Sequence, residues 1–121
     1  MNSSKQLLGD SLLPKSTLER LAAYFQALSH PSRLHLLNCL CHSEVGIGVS
    51  DLAQLTELSI ANVSRQLALL AQHGLVAKKI QGNSAIYSIA DSNLHQMCDL
   101  VCANISRKIN EDAQANNAFL K

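Results

Sequence analysis

Leu58-Ser59-Ile60-Ala61-Asn62-Val63-Ser64-Arg65-Gln66-Leu67-Ala68-Leu69-Leu70, followed shortly by Gly74-Leu75-Val76, is the stretch on which the fold turns. Ile60, Val63, Leu67 and Leu70 recur at three- and four-residue spacing, which predicts an amphipathic helix with those side chains facing a core. Ser59 is suited to cap its start, and Gly74 stands where a left-handed residue ends a helix running to His73. The opposite side of the N-terminal half carries Asn62, Ser64, Arg65 and Gln66. A merely solvated face ordinarily bears Glu–Lys pairs; this one has no carboxylate. Arg can fork onto guanine, Asn or Gln onto adenine, and Ser64 suits a phosphate oxygen.

Working outward, Thr56-Glu57-Leu58-Ser59 reads as a short turn, and Ser50 as the cap of a short helix over Asp51-Leu52-Ala53-Gln54-Leu55. Two β-like runs follow the long helix, 75–80 and 85–89, joined by the hairpin turn Gln81-Gly82-Asn83-Ser84. Helix, turn, helix and hairpin make a winged helix-turn-helix, a mainly α (α+β) architecture with a two-stranded wing. The domain is expected over 15–111, with the helix-turn-helix at 50–73 and the wing at 75–90. Such a helix enters the major groove of double-stranded DNA while the hairpin reaches the backbone or the adjacent minor groove.

Further from the centre, Leu18, Leu21, Ala22, Phe25 and Leu28 predict a first helix. Ser29-His30-Pro31 ends it, and Pro31 opens a second helix where a missing N–H costs nothing. Leu34, Leu36, Leu37, Leu40 and Cys41 are read as that helix's apolar side. Asp91 or Ser92 caps a last helix over 91–111, with Leu94, Met97, Cys98, Val101, Ile105 and Ile109 along one side. Residues 1–14 are expected to be a flexible arm and 112–121 a frayed tail.

At 121 residues the chain suits one domain and has no room for a catalytic barrel or a doubly wound dinucleotide enzyme. Apolar residues are 47% but aromatics only 3%, with no Trp, so the core must be Leu, Ala, Val and Ile. Ten Lys+Arg against nine Asp+Glu leave +1, which argues against coating nucleic acid by bulk charge. The charge is polarised, however. Residues 58–90 hold Arg65, Lys78 and Lys79 and no acid, hence +3, while the other seven bases and nine acids give −2. A binder relying on shape and specific contacts, with a shallow salt dependence, is the expectation. No stretch approaches the roughly 18–20 apolar residues of a membrane span, and no signal peptide is evident. The expectation is therefore no membrane partner and a cytoplasmic location, where Cys39, Cys41, Cys98 and Cys102 stay reduced.

Ala27-Leu28-Ser29-His30-Pro31-Ser32-Arg33-Leu34 resembles the ALxxPxRLxIL signature of the ArsR/SmtB family. The 58–70 stretch resembles its recognition helix, and Gly74-Leu75-Val76, Gly82 and Tyr87-Ser88-Ile89 resemble its wing. The resemblance spans about residues 17–109. It implies a homodimeric repressor, joined through its first and last helices, that leaves operator DNA when a metal, metalloid or reactive sulfur species is sensed. Carried onto this chain, it implies DNA contacts from Asn62, Ser64, Arg65 and Gln66 on the helix and from Lys79 and Asn83 on the wing, with Lys78 and Lys79 suited to phosphates. Many members carry Arg at the wing tip, where this chain has Asn83.

The family's best-known inducer sites are missing. Gly48 and Ser50 stand where two metal-binding cysteines would flank one residue, and neither is a soft-metal ligand. On the last helix Asp91 remains, but Asn93, Asn104 and Arg107 replace its partners, and Arg cannot ligate a cation. Cysteines are what remain. Cys98 and Cys102, at i and i+4, share a helix face with His95 and Asp99 beside them, a set suited to zinc, cadmium or arsenite. Cys39, between His35 and His42, is a second candidate, read as lying on the polar side while Cys41 faces inward. A third uses one thiol from each helix. Members with a persulfide or disulfide switch place the pair near Asn38 and Ser106 here, so Cys39 or Cys41 with Cys102 is a shifted version. Packing alone is the alternative for each cysteine, which would leave a DNA-binding regulator with no metal or thiol inducer. A cysteine enzyme is disfavoured, since no third orienting group or oxyanion loop accompanies either Cys–His pair.

Overall fold

The computed structural model describes residues 12–120, with side chains as far as 117. Most of the arm expected at 1–14, and Lys121 of the expected tail, lie outside the described residues. The elements are α1 (Lys15–Leu28), α2 (Pro31–Cys41), β1 (Ile47–Gly48), α3 (Val49–Thr56), α4 (Ile60–Gln72), β2 (Val76–Gln81), β3 (Ser84–Ile89) and α5 (Ser92–Leu120). Local chemistry accounts for most of their ends. Pro31 sits in the first turn of α2, and the His30 imidazole before it accepts from the Ser32 N–H at 3.3 Å. Ser59 Oγ accepts from the Asn62 N–H at 3.1 Å, as its N-cap role requires. At the far end of α4, Leu75 N–H reaches Leu70 O at 2.9 Å and Gly74 N–H reaches Ala71 O at 3.0 Å, with Gly74 at φ +74°. That pair of bonds is a Schellman motif, and it turns the chain directly into β2.

The turn between α3 and α4 is held by backbone strain and one buried hydroxyl. Glu57 adopts a left-handed conformation at φ 60°, letting Leu58 N–H bond back to Ala53 O at 3.2 Å. Thr56 is buried, and its Oγ1 donates to Leu52 O at 2.7 Å, so no polar group is orphaned there.

The sheet has three strands, in the order β1-β3-β2, where two were expected. β2 and β3 form the wing hairpin with Gln81 opposite Ser84, and Gly82 alone has positive φ in the two-residue turn. Glycine at the first central position is the signature of a II′ turn. The added strand β1 pairs Ile47 with Tyr87 and Gly48 with Ile86. A two-residue strand carries no periodicity to read. What permits it is Gly46 at φ +92°, where a Cβ would lie 2.7 Å from Ile86 Cγ2 and 2.8 Å from Tyr87 O. Pairing keeps the backbone extended as far as Gly48, so Gly48, not Ser50, is the N-cap and α3 begins at Val49.

Leu36, Leu37 and Leu40 of α2, Leu52 of α3, and Val63, Leu67 and Leu70 of α4 are buried together, closed by Leu75, Tyr87 and Leu94. Two assignments to the core need correction. Leu34 is 47% exposed and Ile60 57% exposed. In α2 the buried face runs through positions 33, 36, 37 and 40, so Leu34 lies outside it. That face places the half-buried Arg33 beside the core. Ile60 lies in the first turn of α4, which projects beyond the packed part of the helix.

α5 runs to Leu120, nine residues past the expected boundary, so 112–120 is helical and not a frayed tail. That segment has no Gly or Pro and three Ala, which favours continuation. At the start of α5 the Asp91 carboxylate accepts from the Asn93 N–H at 2.9 Å. The apolar stripes of α1 and α5 stay largely uncovered: Leu18, Leu21 and Phe25 on one, Val101, Ile105 and Ile109 on the other. No helix among the described residues is long and apolar enough to cross a membrane.

Candidate nucleic-acid interface and cysteine cluster

Burial of Val63, Leu67 and Leu70 fixes the rotation of α4 and so decides which side chains face solvent. Arg65 lies opposite that buried stripe, with Ala61 and Ala68 a turn away on either side; all three are exposed. Small neighbours leave the guanidinium free of competing bulk and let the helix backbone approach a groove closely. Ser64 is exposed on one flank beside Ile60, which sequence reasoning assigned to the core. An apolar side chain there suits a thymine methyl. Asn62 and Gln66 are half-buried on the other flank, and Gln66 Nε2 donates to Asn62 Oδ1 at 3.4 Å. The pair holds its own orientation and keeps free one amide donor group on Asn62 and one acceptor on Gln66.

On the wing, Lys78 is opposite Tyr87 and Lys79 opposite Ile86, so the two lysines project to opposite faces of the hairpin. Both are exposed, as is Asn83 at the tip. Only one of the lysines can therefore face a given phosphate ridge. Ile80 is exposed beside them, an apolar residue on the wing.

The cysteines are arranged differently from the sequence expectation. All four are free thiols. Cys39, expected on the polar side, packs against the core. Burial pushes its thiol up, partly opposed by its own backbone hydrogen bond. Cys41, expected to face inward along Leu34 and Leu37, is half-buried where the end of α2 meets α5. Burial raises its pKa first, and nearby Cys98, Asp99 and Cys102 raise it further. Cys98 is likewise pushed up by burial, then by Cys102 and Asp99. Burial, with Cys98 and Asp91 close by, also raises the Tyr24 hydroxyl. Three thiols from two helices thus share one neighbourhood, beside Tyr24 of α1.

His95 is committed to structure. Its Nε2 lies 3.1 Å from Cys41 O and its Nδ1 3.3 Å from Asp99 Oδ2. Both partners are acceptors, so a neutral ring donates to only one of them, and the contact with Cys41 ties His95 to the end of α2. Around Cys39, His42 Nδ1 pairs with Asn38 O at 2.7 Å. Among the described residues, no three His, Cys, Asp or Glu side chains are grouped so as to hold a metal ion.

A capped helix with an acid-free outer face, carried by a helix-turn-helix and backed by a β-hairpin, defines a winged helix-turn-helix DNA-binding protein. Comparison with known proteins agrees. A helix-turn-helix domain family matches residues 28–78. The chain is 30% identical over 90 residues to the uncharacterized HTH-type transcriptional regulator Rv0081 of Mycobacterium tuberculosis, covering 74% of this chain and 78% of that one. It is 37% identical over 76 residues to a transcriptional repressor SmtB homolog of Synechocystis, covering 63% and 56%. The crystal structure of Rv0081 superposes with a TM-score of 0.72 at 28% identity, over 84% of this chain and 99% of that one. The antimony-specific transcriptional repressor AntR superposes at 0.73 and 28%, over 87% and 94%. The chain belongs to the ArsR/SmtB family of DNA-binding transcriptional regulators.

Proposed function

We propose that this regulator is a homodimeric repressor that holds operator DNA through α4 and the wing and is released by a thiol-directed inducer. Arg65 reads a base edge, Asn62 and Gln66 act as a preset amide pair, and Ser64 with Lys78 or Lys79 meets phosphates. The dimer joins through α1 and α5, whose exposed Leu18, Leu21, Phe25, Val101, Ile105 and Ile109 are what an interface would cover. The observation that carries the inducer reading is the contact of His95 with the Cys41 carbonyl at 3.1 Å, which turns the α5 face bearing His95, Cys98 and Cys102 toward the end of α2. A persulfide or disulfide formed there, by a persulfide donor or an oxidant, would alter the seating of α5. That would change the spacing of the two recognition helices.

The raised Cys41 and Cys98 thiols favour a second reading, a regulator with no inducer. Protonated thiols react and ligate slowly at neutral pH. One experiment decides between them. A duplex selected from random DNA is bound by the wild-type chain and by Cys41→Ser, Cys98→Ser and Cys102→Ser, and each complex is challenged with zinc, cadmium, arsenite, a persulfide donor and peroxide. Release of the wild type by one agent, with retention in a Ser variant, is expected. Release of all four proteins alike, or of none, would sink the thiol reading.

A further inference from the structure

Among the described residues, one buried side-chain polar atom has no hydrogen-bond partner: Nε of Arg33. Arg33 stands one turn ahead of Leu36 and Leu37, on the face of α2 that turns toward the core. It also borders a cavity of about 200 Å³ lined by Ala23, Gln26 and Ala27 of α1 and by Leu69 and His73 at the end of α4. No carboxylate lines that cavity, and Arg33 makes no ion pair among the described residues. Its Nε is sealed from solvent, so an anion in the pocket would meet the terminal nitrogens of the half-buried guanidinium.

The geometry points to a binding site for a small oxyanion, inorganic phosphate or a short carboxylate, held by the Arg33 guanidinium with Gln26 and His73 as further partners. The fork of a guanidinium matches two oxygens of such an anion, and the amide of Gln26 adds a neutral donor. Size agrees: an open pocket of about 200 Å³ has room for a small oxyanion. Ala23 and Ala27 keep it open because their side chains stop at Cβ. The site involves neither the cysteines nor the DNA-facing side of α4, so it stands apart from the repressor reading.

The test uses the full chain, with inorganic phosphate titrated against sodium chloride at matched ionic strength and read by calorimetry and thermal unfolding. A saturable, one-per-chain heat with a rise in Tm is expected, and acetate in place of phosphate should compete for it. Arg33→Gln should abolish the heat. Ala23→Leu fills the cavity without touching the charge and should weaken binding at least tenfold, which keeps the test decisive if Arg33→Gln does not fold. A response that only tracks ionic strength, or one unchanged in Ala23→Leu, overturns the proposal, because the cavity then holds water alone. Loss of DNA affinity in Arg33→Gln without any phosphate binding by the wild type also overturns it, assigning Arg33 to the DNA backbone.

Discussion

His95 Nε2 lies 3.1 Å from the carbonyl oxygen of Cys41, a contact between residues 54 positions apart that fastens the first turns of α5 to the end of α2. Asp99 supports the ring from the other side at 3.3 Å, and both side chains are largely solvated, 48% and 74% exposed. His95→Ala should therefore lower stability by about 0.5–1.5 kcal/mol, the net worth of one hydrogen bond. Asp99→Asn should cost less, about 0–1 kcal/mol, because exposed ion pairs contribute little. Urea unfolding of the two variants checks the order. Equal losses would mean the carboxylate, not the bond to Cys41, orients α5.

Arg65→Ala removes the side chain that points straight away from the core of α4. DNA affinity should fall about ten- to a hundredfold, as for the loss of a base contact worth about 1–3 kcal/mol, with unchanged circular dichroism and Tm. Lys79→Gln should instead weaken binding to all duplexes alike and reduce the salt slope by about one. Mobility shifts at several salt concentrations separate the two kinds of loss.

Two glycines with positive φ should respond very differently to alanine. At Gly74 a Cβ meets nothing within 4 Å, so Gly74→Ala carries only the left-handed backbone penalty, about 1–2 kcal/mol. At Gly46 the same atom would press on the Tyr87 carbonyl at 2.8 Å, so Gly46→Ala should also displace β1 from β3. Thermal melts of both variants, with amide exchange at Ile47 and Gly48, measure the difference.

Burial and neighbouring groups raise the Cys41 and Cys98 thiols above their ordinary value of 9.0. A thiol whose folded pKa is raised contributes stability that is complete below the unfolded pKa and is lost as pH climbs through the folded one. The chain should thus lose stability above about pH 9, and alkylation of these two thiols by iodoacetamide should keep accelerating beyond the range where a free thiol levels off. Site-resolved mass spectrometry follows each rate, and plateaus at the ordinary thiol pH would contradict the burial.

Replacing Phe25 and Ile105 by Glu puts charge on both exposed stripes without entering the core, since they are 55% and 54% exposed. The double variant should run as a folded monomer in sedimentation and bind DNA at least tenfold more weakly. A folded dimer would move the interface elsewhere.

Much of the architecture was already legible along the chain. Three-and-four spacing in 60–70, the Ser59 cap, the Gly74 stop and Gly82 between two β-like runs are local signals, and each names an element without reference to the rest of the molecule. The basic, acid-free segment at 58–90 is also a property of sequence order alone. What depended on tertiary contacts were the rotations of helices and the pairings between distant segments. α2 buries Leu36, Leu37 and Leu40 against its neighbours, which leaves Leu34 outside and sets Cys41, not Cys39, toward α5. β1 exists only because Gly46 lets the backbone meet β3, and its two residues have no period to detect. Residue types and spacing determined which elements form. Which side of each one meets its neighbours, and hence which thiol and which arginine lie where chemistry can reach them, was decided by packing across the whole chain.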